Sequence, residues 1–300
     1  MPELPEVEAL AAFVTERAGG RMVVRCELAA IAALKTVDPR LEDLVGTVVA
    51  GCGRRGKYLC LSFGEGGGPT ASGTGAPPAH WLVVHLARGG WLRWWDKLPE
   101  AKARLTRSPI ALRMGFDDGT GFDLTEMGTE KRLALWVVAD PAAVEGVARL
   151  GVDPLDPAFD VAVLSRLAAA EPGTVKTMLA AQSVIAGVGN AYSDEALHLA
   201  RLSPFKRAAA LSPEEVERLH DALVTVLTDA VARAVGSSAK DLKPEKHRSM
   251  RVHGRTGEPC PVCGDVVREV SFATRSLQYC ATCQTGGRPL ADRRLSRLLK

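Results

Sequence analysis

Four cysteines near the C-terminus have the spacing of a metal site. They form the pattern C-x2-C-x16-C-x2-C and are Cys260, Cys263, Cys280 and Cys283. Two C-x2-C pairs separated by about 15–20 residues are typical of a tetrahedral zinc site with four thiolate ligands. A redox-active C-x-x-C is the alternative, but the flanking sequence lacks the strand–helix–strand pattern of such proteins. We therefore expect one structural Zn²⁺, with a hairpin of two short strands, 266–272 and 277–279, between the cysteine pairs.

The N-terminus is the second segment that could do chemistry. It reads Met-Pro-Glu-Leu-Pro-Glu, so Pro2 is followed by Glu3 and Glu6. Once the methionine is removed, Pro2 carries a secondary amine, and an α-amino group has a pKa near ~8, so part of it is unprotonated at neutral pH. A secondary amine condenses with an aldehyde carbon to an iminium ion, which is a good electron sink. Met-Pro starts are also common without any such role, and this segment alone leaves both interpretations open.

Two further segments could bind phosphate. Lys57 follows a basic turn in a strand-like setting, where a lysine could pair with phosphate, protonate a leaving group or simply face solvent. The stretch Gly-Val-Gly-Asn at 187–190 joins two predicted helices. A glycine-rich turn before a helix N-terminus offers backbone N–H groups to an anion. Asn190 could equally be an ordinary N-cap.

Periodicity divides the chain into a strand-rich part and a helix-rich part. A helix is predicted over 7–18, and short apolar runs separated by turn signals follow it, which favours a sandwich or barrel. The predicted strands are 22–28, 47–52, 57–63, 81–86, 91–95, 110–116 and 133–138. The predicted helices after them are 161–170, 174–183, 191–200 and 212–234. The glycine-rich stretch 64–79 is too poor in apolar residues to pack, and we predict a surface loop there.

Composition and charge limit the class of protein. The chain has 300 residues, of which 46% are hydrophobic and 24% charged, as in a globular protein of two or three domains. Its apolar runs are too short to span a bilayer and its start lacks a signal-peptide pattern, so we expect a cytoplasmic protein with no membrane partner. Residues 240–300 contain 13 Lys and Arg against 6 Asp and Glu, which favours a polyanionic partner or, alternatively, a solubilising tail.

In combination, these segments resemble one known family. The chain is similar to the formamidopyrimidine-DNA glycosylase / endonuclease VIII family of base-excision repair enzymes in five stretches that follow the family's order. They are 2–8, 54–59, 85–86, 176–195 and 252–284. The resemblance implies an α+β multidomain fold, whose parts are an N-terminal β-sandwich at 1–140, a helix–two-turn–helix domain at 141–240, a zinc-finger hairpin at 241–284 and a basic tail at 285–300. It also implies damaged DNA as the partner, and we expect a monomer.

The resemblance assigns catalytic roles at the N-terminus. The family flips a damaged nucleotide out of the duplex, because its glycosidic carbon cannot be reached in the stack. Pro2 would attack C1′ and form a Schiff base, so that base excision and strand cleavage follow from one nucleophile. Glu3 would act as general acid and proton shuttle, and Glu6 would assist near the deoxyribose.

Other matching residues are implied to bind the DNA backbone. Lys57 would contact phosphate and assist β-elimination, and Arg275 at the tip of the finger would contact phosphate and support δ-elimination. Lys176 and Asn190 would hold the phosphates that flank the lesion. The implied enzyme is therefore a bifunctional DNA glycosylase and abasic-site lyase.

This sequence departs from the formamidopyrimidine branch where that branch opens the duplex. The branch has His-Leu-Gly-Met-Ser-Gly, whose methionine fills the gap left by the flipped base, and Arg88 stands in its place here. The branch also has Asp-Pro-Arg-Arg-Phe-Gly, whose arginine reads the orphaned base; here Glu126 replaces it, and Met127 is the remaining apolar wedge. The branch's phosphate-binding histidine is also absent around 108–109. We therefore predict a preference for oxidised pyrimidines, abasic sites or single-stranded lesions over 8-oxoguanine opposite cytosine.

Two other functions fit parts of the sequence. A catalytically weak relative that only binds damaged DNA would keep the finger, but it has no chemical need for Pro2, Glu3 and Lys57 together. A zinc-stabilised RNA-binding or structural protein would explain the finger but not the N-terminus. The tail beyond 284 has leucines among basic residues, and it could contact DNA, contact another repair protein or pack on its own finger.

Overall fold

The structure, a computed structural model, describes residues 1–64, 79–103, 108–272 and 276–291. The chain divides into two units, Met1–Arg149 with Arg233–Lys243, and Leu150–Ala232 with Pro244–Lys300. Most of the loop predicted at 64–79, Arg275 and the last nine residues of the tail lie outside the described residues. Among the helices that are described, none is both long enough and apolar enough to cross a bilayer.

The first unit begins with a helix that starts earlier than its apolar period predicts. Helix α1 spans Leu4–Ala18, three residues before the predicted start. Pro5 is tolerated there because the first helical turn needs no N–H donor from it. The Glu6 carboxylate accepts a hydrogen bond of 2.8 Å from the backbone N–H of Glu3, which precedes the helix, and this contact stabilises the helix start. The apolar face of α1 that enters the core includes Val7, Leu10 and Val14.

Eight strands of the first unit form two antiparallel sheets. The strands are β1 (Val23–Leu28), β2 (Val48–Arg55), β3 (Tyr58–Gly64), β4 (His80–His85), β5 (Gly90–Trp95), β6 (Ile110–Phe116), β7 (Gly121–Glu126) and β8 (Ala134–Val138). One sheet has the order β1-β6-β7-β5 and the other β2-β3-β4-β8. Side chains from both sheets and from α1 belong to one apolar core, so the sheets form the predicted β-sandwich. A short helix, α2 (Glu145–Ala148), lies at the end of this unit's first segment.

Strand β7 is missing from the sequence prediction because a charge interrupts its apolar pattern. Asp123 lies in this strand and is 1% exposed, and its carboxylate accepts hydrogen bonds of 2.7 and 2.8 Å from the Arg113 guanidinium. The indole N–H of Trp95 donates a further bond of 2.8 Å. A buried carboxylate is compatible with a strand when donors satisfy it in this way. The stretch 123–128, which was compared with the family's Asp-Pro-Arg-Arg-Phe-Gly motif, is therefore mostly strand, and Met127 lies just beyond the strand.

The second unit combines helices with a two-stranded hairpin. Its helices are α3 (Val161–Ala170), α4 (Val175–Ala180), α5 (Asn190–Leu199), nearly all of α6 (Pro213–Ala234), most of α7 (Leu242–Ser249) and α8 (Ala281–Thr285). The hairpin consists of β9 (Val267–Ser271) and β10 (Ser276–Cys280), which pair antiparallel as predicted. Helix α7 was not predicted because, in its sequence LKPEKHRS, Leu242 is the one buried residue and no apolar period exists.

The described start of the tail packs on the finger. The N–H of Leu290 donates a hydrogen bond of 2.7 Å to the Tyr279 hydroxyl, and Leu290 contacts the small apolar cluster under the hairpin. Of the three roles considered for the tail, packing on the finger therefore holds for residues up to 291, whereas a contact with DNA or another protein stays a prediction for the rest.

Candidate active site and zinc centre

The start of the chain holds three of the predicted catalytic residues together. Pro2, Glu3 and Glu6 are all buried, whereas Met1 before them is 52% exposed. The Glu6 carboxylate is directed back to the N–H of Glu3, so it lies at the N-terminal end of α1. The positive end of the helix dipole stabilises negative charge at this position. The structure thus places Pro2, Glu3 and Glu6 in one buried segment at the N-terminal end of α1, and their predicted catalytic roles stay predictions.

Lys57 lies in the tight turn between β2 and β3, not within a strand as predicted. Gly56 before it has φ +54°, the left-handed conformation that such a two-residue hairpin turn requires. The Lys57 side chain is nevertheless buried. Burial and the positive charge of Lys57 lower the pKa of His85, at the end of β4. The ammonium group is therefore held near this end of the sandwich.

An ion pair connects the start of α1 with the strand that leads to Lys57. The Arg54 guanidinium lies 2.6 Å from the carboxylate of Glu8, which is in the second turn of α1. Helix α1 also packs along β2 and β3. The structure therefore brings the N-terminal segment and the Lys57 turn, about fifty residues apart in sequence, to the same end of the first unit.

Arg88 and Met127 lie in adjacent exposed turns. Arg88 is in the turn between β4 and β5, which the hydrogen bond from Gly90 N to Leu86 O closes at 2.9 Å. Met127 follows β7, and its N–H donates a bond of 3.1 Å to Gly89 O in the Arg88 turn. Arg88 is exposed and Met127 is 66% exposed. The two side chains proposed to fill the gap in the duplex are thus neighbours on one surface.

This surface belongs to the same end of the unit as Lys57. Strand β4 ends at His85, which is paired with Tyr58, the residue after Lys57. The His85 and Tyr58 rings are in contact, with centroids 4.9 Å apart. The Arg88 turn begins directly after β4, and the Lys57 turn lies directly before β3. The pairing of β3 with β4 therefore brings these two turns to the same end of the unit.

Glu126 is oriented inward. It is 4% exposed, and its Oε1 accepts hydrogen bonds of 2.7 Å from Arg132 N and 2.9 Å from Leu133 N. Its backbone carbonyl also accepts a hydrogen bond from the Lys131 ammonium. The residue that replaces the family's base-reading arginine therefore fixes the turn that presents Met127.

In the second unit, Lys176, which is predicted as a phosphate ligand, is buried against the start of α5. Its ammonium is buried and donates to Asn190 O at 2.7 Å, Ser193 Oγ at 2.8 Å and Asp194 Oδ1 at 2.5 Å. Lys176 therefore stabilises the start of α5, and its predicted contact with phosphate stays a prediction.

Asn190 is the first residue of α5, and the N-cap is Gly189. The Asn190 side-chain amide donates a hydrogen bond of 2.5 Å to Ser276 O, the first residue of β10. A cavity of about 130 Å³ lies here and is lined in part by Lys176, Asn190, Phe272 and Ser276. The role predicted for Arg275 stays a prediction, because that residue is outside the described part of the chain.

Two acidic residues that the sequence analysis did not single out connect α5 to the zinc finger. Glu195 accepts hydrogen bonds from three consecutive backbone N–H groups, those of residues 251–253, at 2.8 to 2.9 Å. The Asp194 carboxylate accepts a hydrogen bond of 2.7 Å from the His253 ring and one of 3.2 Å from the backbone N–H of Gln278. Burial raises the pKa of Glu195, and the three backbone donors oppose that shift. The signal that could have identified them is that almost all of this helix is buried, since acidic residues are rarely buried without partners.

The four cysteines converge as their spacing predicts. All four Sγ atoms lie within 4.8 Å of one another, with 3.9 Å between Cys260 and Cys283 and 3.4 Å between Cys263 and Cys280. Zn–S bonds of about 2.3 Å in a tetrahedron place the sulfurs about 3.8 Å apart, which these distances fit. Burial raises the pKa of Cys280 to about 11, so a bound cation is needed to keep it a thiolate. Four thiolates fill the coordination sphere, and the Zn²⁺ is therefore structural.

One residue outside the quartet supports this centre. His198 on α5 is buried, and its Nε2 lies 3.3 Å from Cys260 Sγ. Hydrogen bonds to a metal-bound thiolate orient the ligand and reduce its charge density. The sequence analysis missed His198 because its distance of 62 residues from Cys260 carries no local signal.

Comparison with known proteins agrees with this architecture. Three family profiles match: Formamidopyrimidine-DNA glycosylase N-terminal domain at 1–128, Formamidopyrimidine-DNA glycosylase H2TH domain at 150–241, and Zinc finger found in FPG and IleRS at 257–286. A β-sandwich, an H2TH domain and this finger together define the class of zinc-finger DNA-repair glycosylases.

Individual relatives place the chain within that class. A formamidopyrimidine-DNA glycosylase of Symbiobacterium thermophilum is 34% identical, over 95% of this chain and 89% of its own. A formamidopyrimidine-DNA glycosylase-like protein of Mycobacterium tuberculosis is 59% identical over 50% of this chain and 94% of its own. A variant of the Lactococcus lactis FPG in complex with Fapy-dG containing DNA superposes with a TM-score of 0.79 at 25% identity, covering 95% of this chain and 100% of that one. The chain belongs to the formamidopyrimidine-DNA glycosylase family, as its sequence predicted.

Proposed function

We propose that this protein is a bifunctional DNA glycosylase and abasic-site lyase whose nucleophile is the Pro2 nitrogen. The observation that supports it most directly is the buried group of Pro2, Glu3 and Glu6 at the end of the sandwich that also carries Lys57. The activity of the curated relatives, which are formamidopyrimidine-DNA glycosylases, agrees with this chemistry.

The first step is base excision. Removal of Met1 frees the secondary amine, whose lone pair attacks C1′ of the flipped nucleotide. A bond forms between nitrogen and C1′ while the glycosidic bond breaks, and the base leaves with the electron pair and takes up a proton. Glu3 supplies protons as general acid, and it is buried beside Glu6, where water does not compete. Ring opening then leaves an iminium ion on Pro2.

The second step is strand cleavage. The iminium withdraws electrons from C2′, so that loss of a C2′ proton expels the 3′ phosphate by β-elimination. A further elimination expels the 5′ phosphate. The Lys57 ammonium, held in a rigid turn, stabilises the negative charge that develops on a leaving phosphate. Arg275 is proposed to support the second elimination.

Arg88 and Met127 are proposed to occupy the space that the flipped nucleotide leaves in the duplex. Met127 is an apolar wedge, and the Arg88 guanidinium can stack on a base. Because Glu126 is turned inward as a cap of the Met127 turn, no arginine at this position meets the orphaned base. This supports the proposed preference for oxidised pyrimidines, abasic sites or single-stranded lesions over 8-oxoguanine opposite cytosine.

The decisive experiment is borohydride trapping of the Met1-processed protein on abasic DNA. We expect a covalent adduct that the substitution Pro2→Gly removes. Pro5→Ala is the matched control, since it changes a proline of the same segment and leaves the N-terminal amine intact. An undiminished adduct in the Pro2→Gly variant would place the nucleophile elsewhere. Binding without any adduct favours the second candidate, a catalytically weak protein that recognises damaged DNA.

Lesion preference is tested separately by excision rates. Duplexes with 8-oxoguanine opposite cytosine, with an oxidised pyrimidine and with an abasic site are compared, beside the same lesions in single strands. The proposed preference is contradicted if the rate of 8-oxoguanine release from duplex DNA exceeds the rates of cleavage of the other substrates.

A further inference from the structure

A second cavity in the first unit lies beside the turn that presents Met127. Its volume is about 510 Å³, within the range of pockets that bind small molecules, about 300–1,000 Å³. Its walls come from residues 29–33, from residues 108–111 and from the ends of the Met127 turn, Glu126 and Lys131. The mechanism proposed above uses none of this space.

Most of the lining residues are apolar, and several of them have small side chains. Alanines occur on both walls, as Ala29, Ala30 and Ala33 on one and Ala111 on the other. The walls are held together, because the N–H groups of Ala29 and Ala30 donate hydrogen bonds of 2.9 and 3.0 Å to Ala111 O. Small side chains on a rigid backbone leave room for a flat ring that contacts both walls.

Glu126 supplies an unused hydrogen-bond acceptor at this cavity. Its Oε1 accepts two backbone bonds, while its Oε2 takes no part in these bonds and is not among the fully buried, unpaired atoms of the described residues. The side chain is 4% exposed. A carboxylate oxygen that the protein does not use at the wall of a cavity can accept a hydrogen bond from a ligand that brings an N–H group.

Two ammonium groups stand at the edge of the same cavity. Lys35 donates a hydrogen bond of 2.5 Å to Ala32 O, and Lys131 donates to Glu126 O. Both side chains are exposed, and an ammonium has two further donors after one such bond. The cavity thus combines mostly apolar walls, one carboxylate acceptor and cationic donors at its edge, which fits a nucleobase attached to a phosphate.

We propose that this cavity binds the base opposite the lesion after it has turned out of the duplex, and that it favours bases with an exocyclic amino group. Glu126 Oε2 accepts from that amino group, and Lys35 and Lys131 contact the adjoining phosphate. The location supports the opposite strand as the source, since the wedge residue Met127 and the acceptor Glu126 are neighbours in sequence. This inference rests on the proposed function, because it assumes a duplex opened at a lesion.

Fluorescence tests the position of the base without any chemistry. The DNA contains 2-aminopurine opposite a stable abasic analogue, and emission of 2-aminopurine rises when it leaves the stack. We expect a rise on binding of the wild-type protein and at least a halving of that rise with Ala30→Trp, which fills the cavity. Val37→Trp is the control, because Val37 is 88% exposed and does not line the cavity. An equal rise in both variants, or no rise with wild type, overturns the proposal.

Glu126→Gln tests the amino-group preference. The amide oxygen preserves the cap of the Met127 turn, while its NH₂ replaces the open acceptor with a donor. For wild type we expect cleavage of abasic sites opposite cytosine to exceed that opposite thymine by about tenfold, the size of one good base contact. The variant is expected to lose or invert that ratio. An unchanged ratio contradicts the assignment.

Single-stranded abasic DNA separates this proposal from the proposed function. It has no opposite base, so Glu126→Gln and Ala30→Trp are expected to form borohydride adducts on it as wild type does. Absence of the wild-type adduct on this substrate refutes the proposed lyase activity. The 2-aminopurine signal then still decides the assignment of the cavity, since it requires binding alone.

Discussion

Lys176 offers the sharpest test of how the second unit is built, because its two possible roles predict opposite results. As a phosphate ligand it would contribute to DNA affinity and little to stability. In the structure it neutralises Asp194, which is 1% exposed, and it donates to Asn190 and Ser193 as well. The substitution Lys176→Met keeps the length of the side chain and removes the charge, so a buried carboxylate loses its cation.

The expected magnitude follows from that burial. Removing one partner of a buried ion pair costs about 3–5 kcal/mol in the free energy of unfolding. With a urea dependence of about 2 kcal/mol per molar, the midpoint of unfolding falls by about 2 M. Lys206→Met is the matched control: its partner Glu215 is 2.5 Å away, but the two side chains are 31% and 19% exposed. A partly exposed pair contributes about 0–1 kcal/mol, so the control shifts the midpoint by less than about 0.5 M.

The two units can be followed by separate signals in one titration. All five tryptophans lie between positions 81 and 136, in the first unit, whereas the four cysteines lie in the second. Release of zinc to a colorimetric chelator therefore reports the second unit, and tryptophan fluorescence reports the first. We expect Lys176→Met to lower the zinc-release midpoint and to leave the fluorescence midpoint unchanged. An unchanged zinc-release midpoint, together with a salt slope of DNA binding reduced by about one, would refute the structural role.

Three further predictions concern the zinc, the wedge and pH. Removing zinc with a chelator is expected to abolish DNA binding and leave the tryptophan transition in place, and a retained affinity contradicts the structural role of the finger. Met127→Ala is expected to reduce borohydride adducts on duplex abasic DNA about tenfold and not on single strands, whereas equal losses on both speak against a wedge. The pKa of His85 is lowered by burial and by Lys57, so between the folded and unfolded pKa values the unfolded chain binds more protons. Stability is therefore complete above pH ~6.5 and declines as the pH falls below it. Replacing His85 with Gln is expected to flatten this decline in the fluorescence midpoint, and an unaltered pH dependence contradicts the assignment.

Local patterns in the sequence were sufficient for the parts of this protein that depend on spacing. The zinc quartet, the hairpin between its pairs, seven of the eight sandwich strands and the helices at 161–170 and 212–234 follow from periodicity and from residue types a few positions apart. The family resemblance rests on the same local motifs. Such features are visible in one dimension because each is stabilised largely by its own neighbours along the chain.

The tertiary structure decided which charged residues face solvent. In the sequence, Asp123 argues against a strand. It nevertheless lies in β7, because Arg113 and Trp95 donate hydrogen bonds to its carboxylate. Lys176 is predicted from the sequence as a phosphate ligand, whereas in the structure its side chain is buried because it forms an ion pair with Asp194. The reason is physical: a charge can be buried only when its partner arrives from elsewhere in the chain, and sequence spacing does not contain that partner.

The same distinction applies to the candidate site. Sequence alone identified Pro2, Glu3, Lys57 and the wedge positions as residues with suitable chemistry. It could not show that Glu8 and Arg54 bring the start of α1 to the Lys57 turn, or that Glu126 turns inward beside a cavity. Residue types along the chain determine which reactions are chemically available, whereas long-range packing determines which side chains meet and which of their atoms stay open to a ligand.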